Sequence, residues 1–344
     1  MGHRPTVQDV AARAKVSVAT VDRVLNGRAK VREETARKVY EAAREIGYHA
    51  AGLIHQRMQA DKPVVRLGFV LNKERQAFYR DLVIQIETAC RDAAQVRAIP
   101  RIVFSPSQTP GDFAACMEGL AGEVDVIAAT AVSHSTITQK VIDLKRRGVP
   151  CIAMMNDFAQ GERLLYIGLN NMKVGRIAAS MIHLAVPGPG KVAVFVGGYR
   201  WHGHELRETG FRSYMREHGV GLQMLDTLVN LETRQLTYEA TLDLLDRNPD
   251  LRGIYCAGGG MEGAIAALRE ARASGDVALV VNEITADSRG ALVDRYATMV
   301  IATPIERLCR ELVATMVAAG SGDATAQTGQ HFLRPDLYLP ESVA

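Results

Sequence analysis

Two hydrophobic rhythms divide the chain near Pro63. Before it, apolar residues recur every three or four positions and no strand-like run occurs. Thr6 followed by Asp9 resembles a capping box, which predicts a helix from Val7 to about Ala14. Ser17 is placed to cap a second helix over 18–25, which Asn26-Gly27 would stop. Val39, Ala42, Ala43 and Ile46 share one face of a third helix over 32–46, with Gly47 behind it. Residues 50–60 are a weaker helical stretch. From Arg66 the rhythm changes to short apolar runs separated by longer amphipathic segments. Ten strands are expected: 67–71, 101–104, 124–128, 151–155, 165–167, 191–196, 222–228, 253–256, 277–281 and 298–301. Strands alternating with helices predict an α/β fold of doubly wound parallel sheets behind an all-α N-terminal module. Ten strands are many for one such sheet, so two lobes are expected.

Composition narrows the class. Hydrophobic residues make up 47% of 344 and charged residues 23%, which suits a packed core and not long disorder. No apolar run approaches the roughly 18 residues of a membrane span, and the N-terminus carries no export signal. A cytoplasmic protein without a membrane partner is the expectation. Five scattered cysteines support neither a disulfide framework nor a zinc site. Charge is uneven: residues 1–60 hold 11 Lys and Arg against 6 Asp and Glu, while the remainder holds 30 against 32. A basic module on a near-neutral body points to a polyanionic partner, or equally to a solvated helical face.

The two short helices around Lys15-Val16-Ser17 read as a helix-turn-helix, or as an ordinary helical hairpin. Val10, Ala11, Val21 and Val24 would form its core, leaving Val18, Ala19, Asp22 and Arg23 outward. The run Thr6-Val7-Gln8-Asp9-Val10-Ala11 and then Val16 to Asn26 resembles the headpiece of the LacI/GalR repressors. Val31-Arg32-Glu33-Glu34-Thr35 and Ile46-Gly47-Tyr48 continue the likeness, and the rest resembles that family's periplasmic-binding-protein-like core.

The resemblance implies a headpiece over 1–49, a hinge over 50–63 and an effector core over 64–344. Within the core it implies an N-lobe of about 64–170 and 304–328, and a C-lobe of about 171–303 and 329–344. It also implies a homodimer on a pseudo-palindromic double-stranded operator, and a sugar- or polyol-like effector. Val18, Ala19 and Arg23 match base-reading positions. Arginine suits guanine O6 and N7, whereas valine and alanine offer only apolar contact. Thr6, Ser17, Thr20 and Asn26 suit phosphates. Asp22 is expected to pair with a basic neighbour. The hinge departs from the family, because Arg57 stands where a minor-groove leucine is usual and Met58 lies beside it.

Ligands of two-lobed α/β proteins sit at the carboxyl ends of strands. Gln76, Phe78 and Tyr79 follow the first strand, and the two rings suit a sugar face or a helix-start core contact. Ser133 and His134 follow the third strand, and Asn171 lies at the lobe crossing. Trp201 stands in a glycine-rich loop, at a pocket mouth or in packing. Arg207, three residues before Gly210-Phe211, matches the family's effector-gripping arginine. His202-x-His204 lacks a third ligand, so no metal is expected, and no cofactor or catalytic set stands out. Gly258-Gly259-Gly260-Met261-Glu262-Gly263 satisfies GxGxxG, with Glu283 20 residues on. One reading is a nicotinamide-dinucleotide enzyme or redox-sensing regulator. The other is close approach of backbone to an effector, with Gly258, Gly259 and Glu283 lining its site. The sequence favours the second: a ligand-controlled repressor, not an enzyme.

Overall fold

The computed structural model describes residues 4–26, 31–54, 62–323 and 328–343. They form two compact units, Met1–Val65 with Ala93–Ala98, and Arg66–Asp92 with Ile99–Ala344.

The first unit carries α1 (Val7–Ala14), α2 (Val18–Asn26) and α3 (Glu33–Glu45). Thr6 and Asp9 close a reciprocal capping box on α1. Lys15 takes a left-handed φ of 54° and turns the chain into α2. The Ser17 hydroxyl accepts from the Thr20 amide at 3.2 Å, so it caps α2. Val10, Ala11, Val21, Val24, Val39 and Ala43 make the buried core. Ile54, in the stretch read as hinge, is also buried in this core, so the packed unit runs past residue 49.

The second unit takes up the chain at Arg66, within β1 (Val64–Leu71). It continues through α4 (Ala77–Arg91), β2 (Arg97–Phe104), α5 (Pro110–Leu120), β3 (Val126–Ala129), α6 (Ser135–Arg146), β4 (Cys151–Met154) and β5 (Leu165–Leu169). After a crossing come α7 (Asn171–Ala185), β6 (Gly190–Val196), α8 (His202–His218), β7 (Leu222–Met224), β8 (Leu228–Val229), α9 (Arg234–Arg247), β9 (Leu251–Cys256) and α10 (Met261–Ala271). Then follow β10 (Ala278–Asn282), α11 (Ala286–Val293), β11 (Met299–Ala302), α12 (Ile305–Gly320), β12 (Gly329–Leu333) and β13 (Asp336–Tyr338).

One sheet runs β12-β5-β4-β3-β1-β2. The other runs β13-β11-β10-β9-β6-β7, with β8 also on β6. Helices cover both faces, which is why β3, β4, β10 and β11 are buried throughout instead of alternating. The chain crosses between lobes after β5, after β11 and between β12 and β13.

Two expectations about strands need correction. The sequence reading put 329–344 in the C-lobe. Instead β12 pairs in parallel with β5, Gly329 opposite Leu165 through Leu333 opposite Leu169, so 329–333 complete the N-lobe sheet. The Arg163 guanidinium fixes this edge by donating to the Gly329 carbonyl at 2.7 Å. Only β13 returns to the second sheet, antiparallel to β11. The expected strand 222–228 is two short strands on the same neighbour.

Candidate functional site

On the first unit, the outward face of α2 carries Val18, Ala19, Asp22 and Arg23, all exposed. Val18 is 46% exposed, a large apolar side chain left in water unless a partner covers it. Arg23 makes no ion pair among the described residues. Asp22 Oδ1 accepts from the Asn26 side-chain Nδ2 at 2.6 Å. It therefore binds a neutral neighbour within its own helix, not a basic residue as expected. The Thr6 hydroxyl bonds Asp9, and Ser17 and Thr20 share a hydrogen bond of 2.9 Å. Arg57 and Met58 lie outside the described residues.

In the second unit a cavity of about 350 Å³ lies between the lobes. Gln76, Phe78, Tyr79 and Thr130 line it from the N-lobe, and Asn171, Trp201, Arg207, Gly258, Gly259 and Glu283 from the C-lobe. The structure thus gathers these residues, up to 207 positions apart, around one cavity. Ser133 and His134 do not line it. Both are exposed, and the His134 ring accepts from the Thr136 amide at 3.1 Å as the cap of α6. β3 ends at Ala129, so Thr130 reaches the cavity and the chain has left it by residue 133.

Arg207 is placed by backbone contact between α7 and α8. A Cβ on Gly175 would stand 1.9 Å from the Arg207 carbonyl, and one on Gly210 would stand 2.1 Å from the Met172 carbonyl. Only glycine permits that approach. The buried guanidinium donates from Nε to Asn171 Oδ1 and from Nη1 to the Ala257 carbonyl, each at 2.7 Å. Neither acceptor is charged, and among the described residues no carboxylate lies within ion-pair distance.

Trp201 is buried. It lines the cavity and also packs in the N-lobe cluster, edge-on to Phe113 with ring centroids 6.5 Å apart. Phe78 and Tyr79 meet edge to face at 5.3 Å, and burial raises the Tyr79 hydroxyl above its ordinary value. Glu283 has a left-handed φ of 69° and accepts from the Thr303 amide at 2.9 Å and hydroxyl at 2.7 Å. Burial raises its carboxyl despite those bonds and the nearby Arg207.

Sequence reasoning missed Glu232, which follows the two-residue strand β8 in no recognisable motif. Its Oε2 accepts from Lys73 Nζ at 2.5 Å, and its Oε1 accepts from the Gly259 amide at 3.2 Å. Burial opposes ionisation of Glu232, but His204, Lys73 and the Gly259 amide outweigh it and bring the carboxyl down to about 2. His204, weighed only as a metal ligand, lines the cavity as well. Burial, with Arg207 and Lys73 nearby, lowers its pKa to about 4 against the pull of Glu232. The Gly197 amide donates to Nδ1 at 3.2 Å, which places the neutral ring's proton on Nε2.

The glycine-rich turn is filled by the protein itself. A Cβ on Gly258 would stand 2.4 Å from His204, one on Gly259 3.0 Å from Glu232, and one on Gly263 2.1 Å from the Arg234 carbonyl. Gly260 caps α10 at a φ of 88° and abuts Thr237. The glycines answer side chains and helix packing, so the fingerprint carries no case for a dinucleotide. Among the described residues no set of three His, Cys, Asp or Glu could hold a metal. No described helix is long and apolar enough to cross a membrane.

Residues 67–324 match the periplasmic binding protein domain, and residues 6–50 match the bacterial regulatory proteins of the lacI family. The transcriptional regulator CelR of Thermobifida fusca is 26% identical over 336 residues, 94% of either chain. GalS of Salmonella typhimurium is 24% identical over 98% of this chain and 96% of its own. GntR of Pseudomonas aeruginosa is 27% identical over 73% of this chain and 71% of its own. Among solved structures, a solute binding protein of Agrobacterium vitis with bound α-D-tagatopyranose superimposes with a TM-score of 0.73. It is 22% identical and covers 81% of this chain and 96% of its own. One from Burkholderia graminis with D-arabinose gives 0.75 at 19% identity, over 82% and 98%. The chain therefore belongs to the LacI/GalR family of DNA-binding transcriptional regulators, not to a family of enzymes.

Proposed function

We propose that this regulator binds a pseudo-palindromic operator as a homodimer, with one α2 in the major groove of each half-site. Arg23 reads a guanine, and Val18 and Ala19 meet apolar base edges. Thr6, Ser17, Thr20 and Asn26 flank that face as phosphate contacts. A sugar- or polyol-like effector binds between the lobes and shifts operator affinity.

The observation that carries the effector reading is Arg207: a buried guanidinium on the cavity wall with only neutral partners. Its remaining Nη donors suit ligand hydroxyl oxygens, and its cost of burial falls when a ligand completes its hydrogen bonds. The Thr130 hydroxyl, buried on the N-lobe side of the same cavity and without a hydrogen-bond partner among the described residues, supports a polar occupant. The aromatic pair at 78 and 79 suits a ring's apolar face. The sugars held by the two solute binding proteins favour the same class. The test is a thermal-shift screen of the full chain against sugars, polyols, sugar acids and nucleotides. Stabilisation by a sugar or polyol, lost in Arg207→Ala, is the expected outcome. Stabilisation by nucleotides alone would refute it.

A further inference from the structure

Beside the effector cavity lies a second, open cleft of about 650 Å³ at the carboxyl ends of β1 and β2. Gln76 lines both spaces, Glu232 lines the cavity, and Lys73 and Gln108 line the cleft. Lys73 Nζ reaches Glu232 at 2.5 Å and Gln108 Nε2 reaches it at 3.4 Å. The bridge thus joins one lobe to the other and stands on the boundary between the two spaces.

The bridge is held in place. The Lys73 and Glu232 side chains are only 19% and 14% exposed. The buried Asn230 pins the Glu232 loop: its Oδ1 accepts from the Glu232 amide at 2.9 Å, and its Nδ2 donates to the Gly259 carbonyl at 2.9 Å. Lys73, Leu231 and Glu232 all sit in left-handed backbone, with φ of 50°, 50° and 54°. Non-glycine residues keep that conformation only where the surroundings enforce it. The cavity behind the bridge is at the small end of the roughly 300–1,000 Å³ usual for ligand sites.

We propose that the Lys73–Glu232 bridge sets the size of the effector. With the bridge in place the cavity accepts a single sugar ring or a short polyol. Without it, cavity and cleft join and a two-ring sugar enters. The inference rests on the sugar-like effector proposed above, and it adds a specificity role for two residues remote in sequence from each other.

The test compares wild type, Lys73→Met and Glu232→Gln by calorimetry with aldohexoses, aldopentoses and hexitols on one side, and sucrose, maltose, lactose and cellobiose on the other. Wild type is expected to bind a one-ring sugar or polyol and no disaccharide. The ratio of disaccharide to monosaccharide affinity should rise at least tenfold in the variants. Glu232→Gln keeps the side chain's shape and serves if Lys73→Met fails to fold. Wild type binding a disaccharide as tightly as a monosaccharide, or both variants keeping the wild-type preference, overturns the proposal.

A second readout needs no ligand. Trp201 is the only tryptophan of the chain and lines the cavity, so acrylamide quenching reports access to that space. The Stern–Volmer constant should at least double in the variants, and an unchanged constant overturns the gate. If quenching rises but no sugar or polyol binds any form, the sugar reading fails and the gate stands.

Discussion

At Arg207 one guanidinium ties Asn171 at the start of α7 to the Ala257 carbonyl after β9 and still faces the cavity. Replacing it with alanine removes hydrogen bonds from a charged donor, worth about 1.5–3 kcal/mol each, so effector affinity should fall at least tenfold by calorimetry. The same change strands two buried acceptors, so the melting temperature should fall as well. His204 makes a different prediction. Its folded pKa of about 4 lies below the ordinary 6.5. Between those values the unfolded chain binds a proton that the folded ring refuses. The contribution is therefore fully present above pH 6.5 and is lost as pH falls towards 4, at about 1.4 kcal/mol per unit. His204→Gln should flatten the melting temperature against pH over 6.5–4.5, and an unchanged slope would remove His204 from the account. Arg207 was legible because it sits three residues before Gly210-Phe211. Glu232 was not, because its partner Lys73 is 159 positions away and neither lies in a motif.

For the elements, α2 is the clearest case of sequence specifying structure. Ser17, the turn at Lys15 and the spacing of Val21 and Val24 fix its cap, its entry and its buried face. What remains outward is a short strip ending in Arg23. Arg23→Ala should weaken operator binding by about 1–3 kcal/mol and relax preference at one base pair per half-site. Equal losses on operator and random duplex in anisotropy titrations would make Arg23 a phosphate contact only. β12 and β13 were illegible for a physical reason. They are edge strands whose residues are mostly exposed, so they show neither the apolar run of a buried strand nor clean alternation. Ser133 and His134 were misplaced by counting too far beyond β3. Strand ends set the reach of a site, and here the reach is one residue.

Across the whole molecule, the proposed recognition face of α2 is in one compact unit and the cavity is in the other. Regulation requires a coupling free energy between them, typically about 1–3 kcal/mol. Within the core, several contacts at the cavity run from lobe to lobe. They include Trp201 in the N-lobe cluster, the Gly203 amide on Asn156 Oδ1 at 2.9 Å and Lys73 on Glu232. A ligand that favours the state with these contacts over one without them shifts the equilibrium by its difference in affinity for the two. The most direct measurement of the central claim is operator affinity with and without a saturating effector. The operator would be selected from random duplexes and titrated by fluorescence anisotropy at fixed salt. A change of about 5- to 150-fold in wild type, absent in Arg207→Ala although that variant still binds the operator, is the predicted result. Effector binding confirmed by calorimetry with operator affinity unchanged would contradict it.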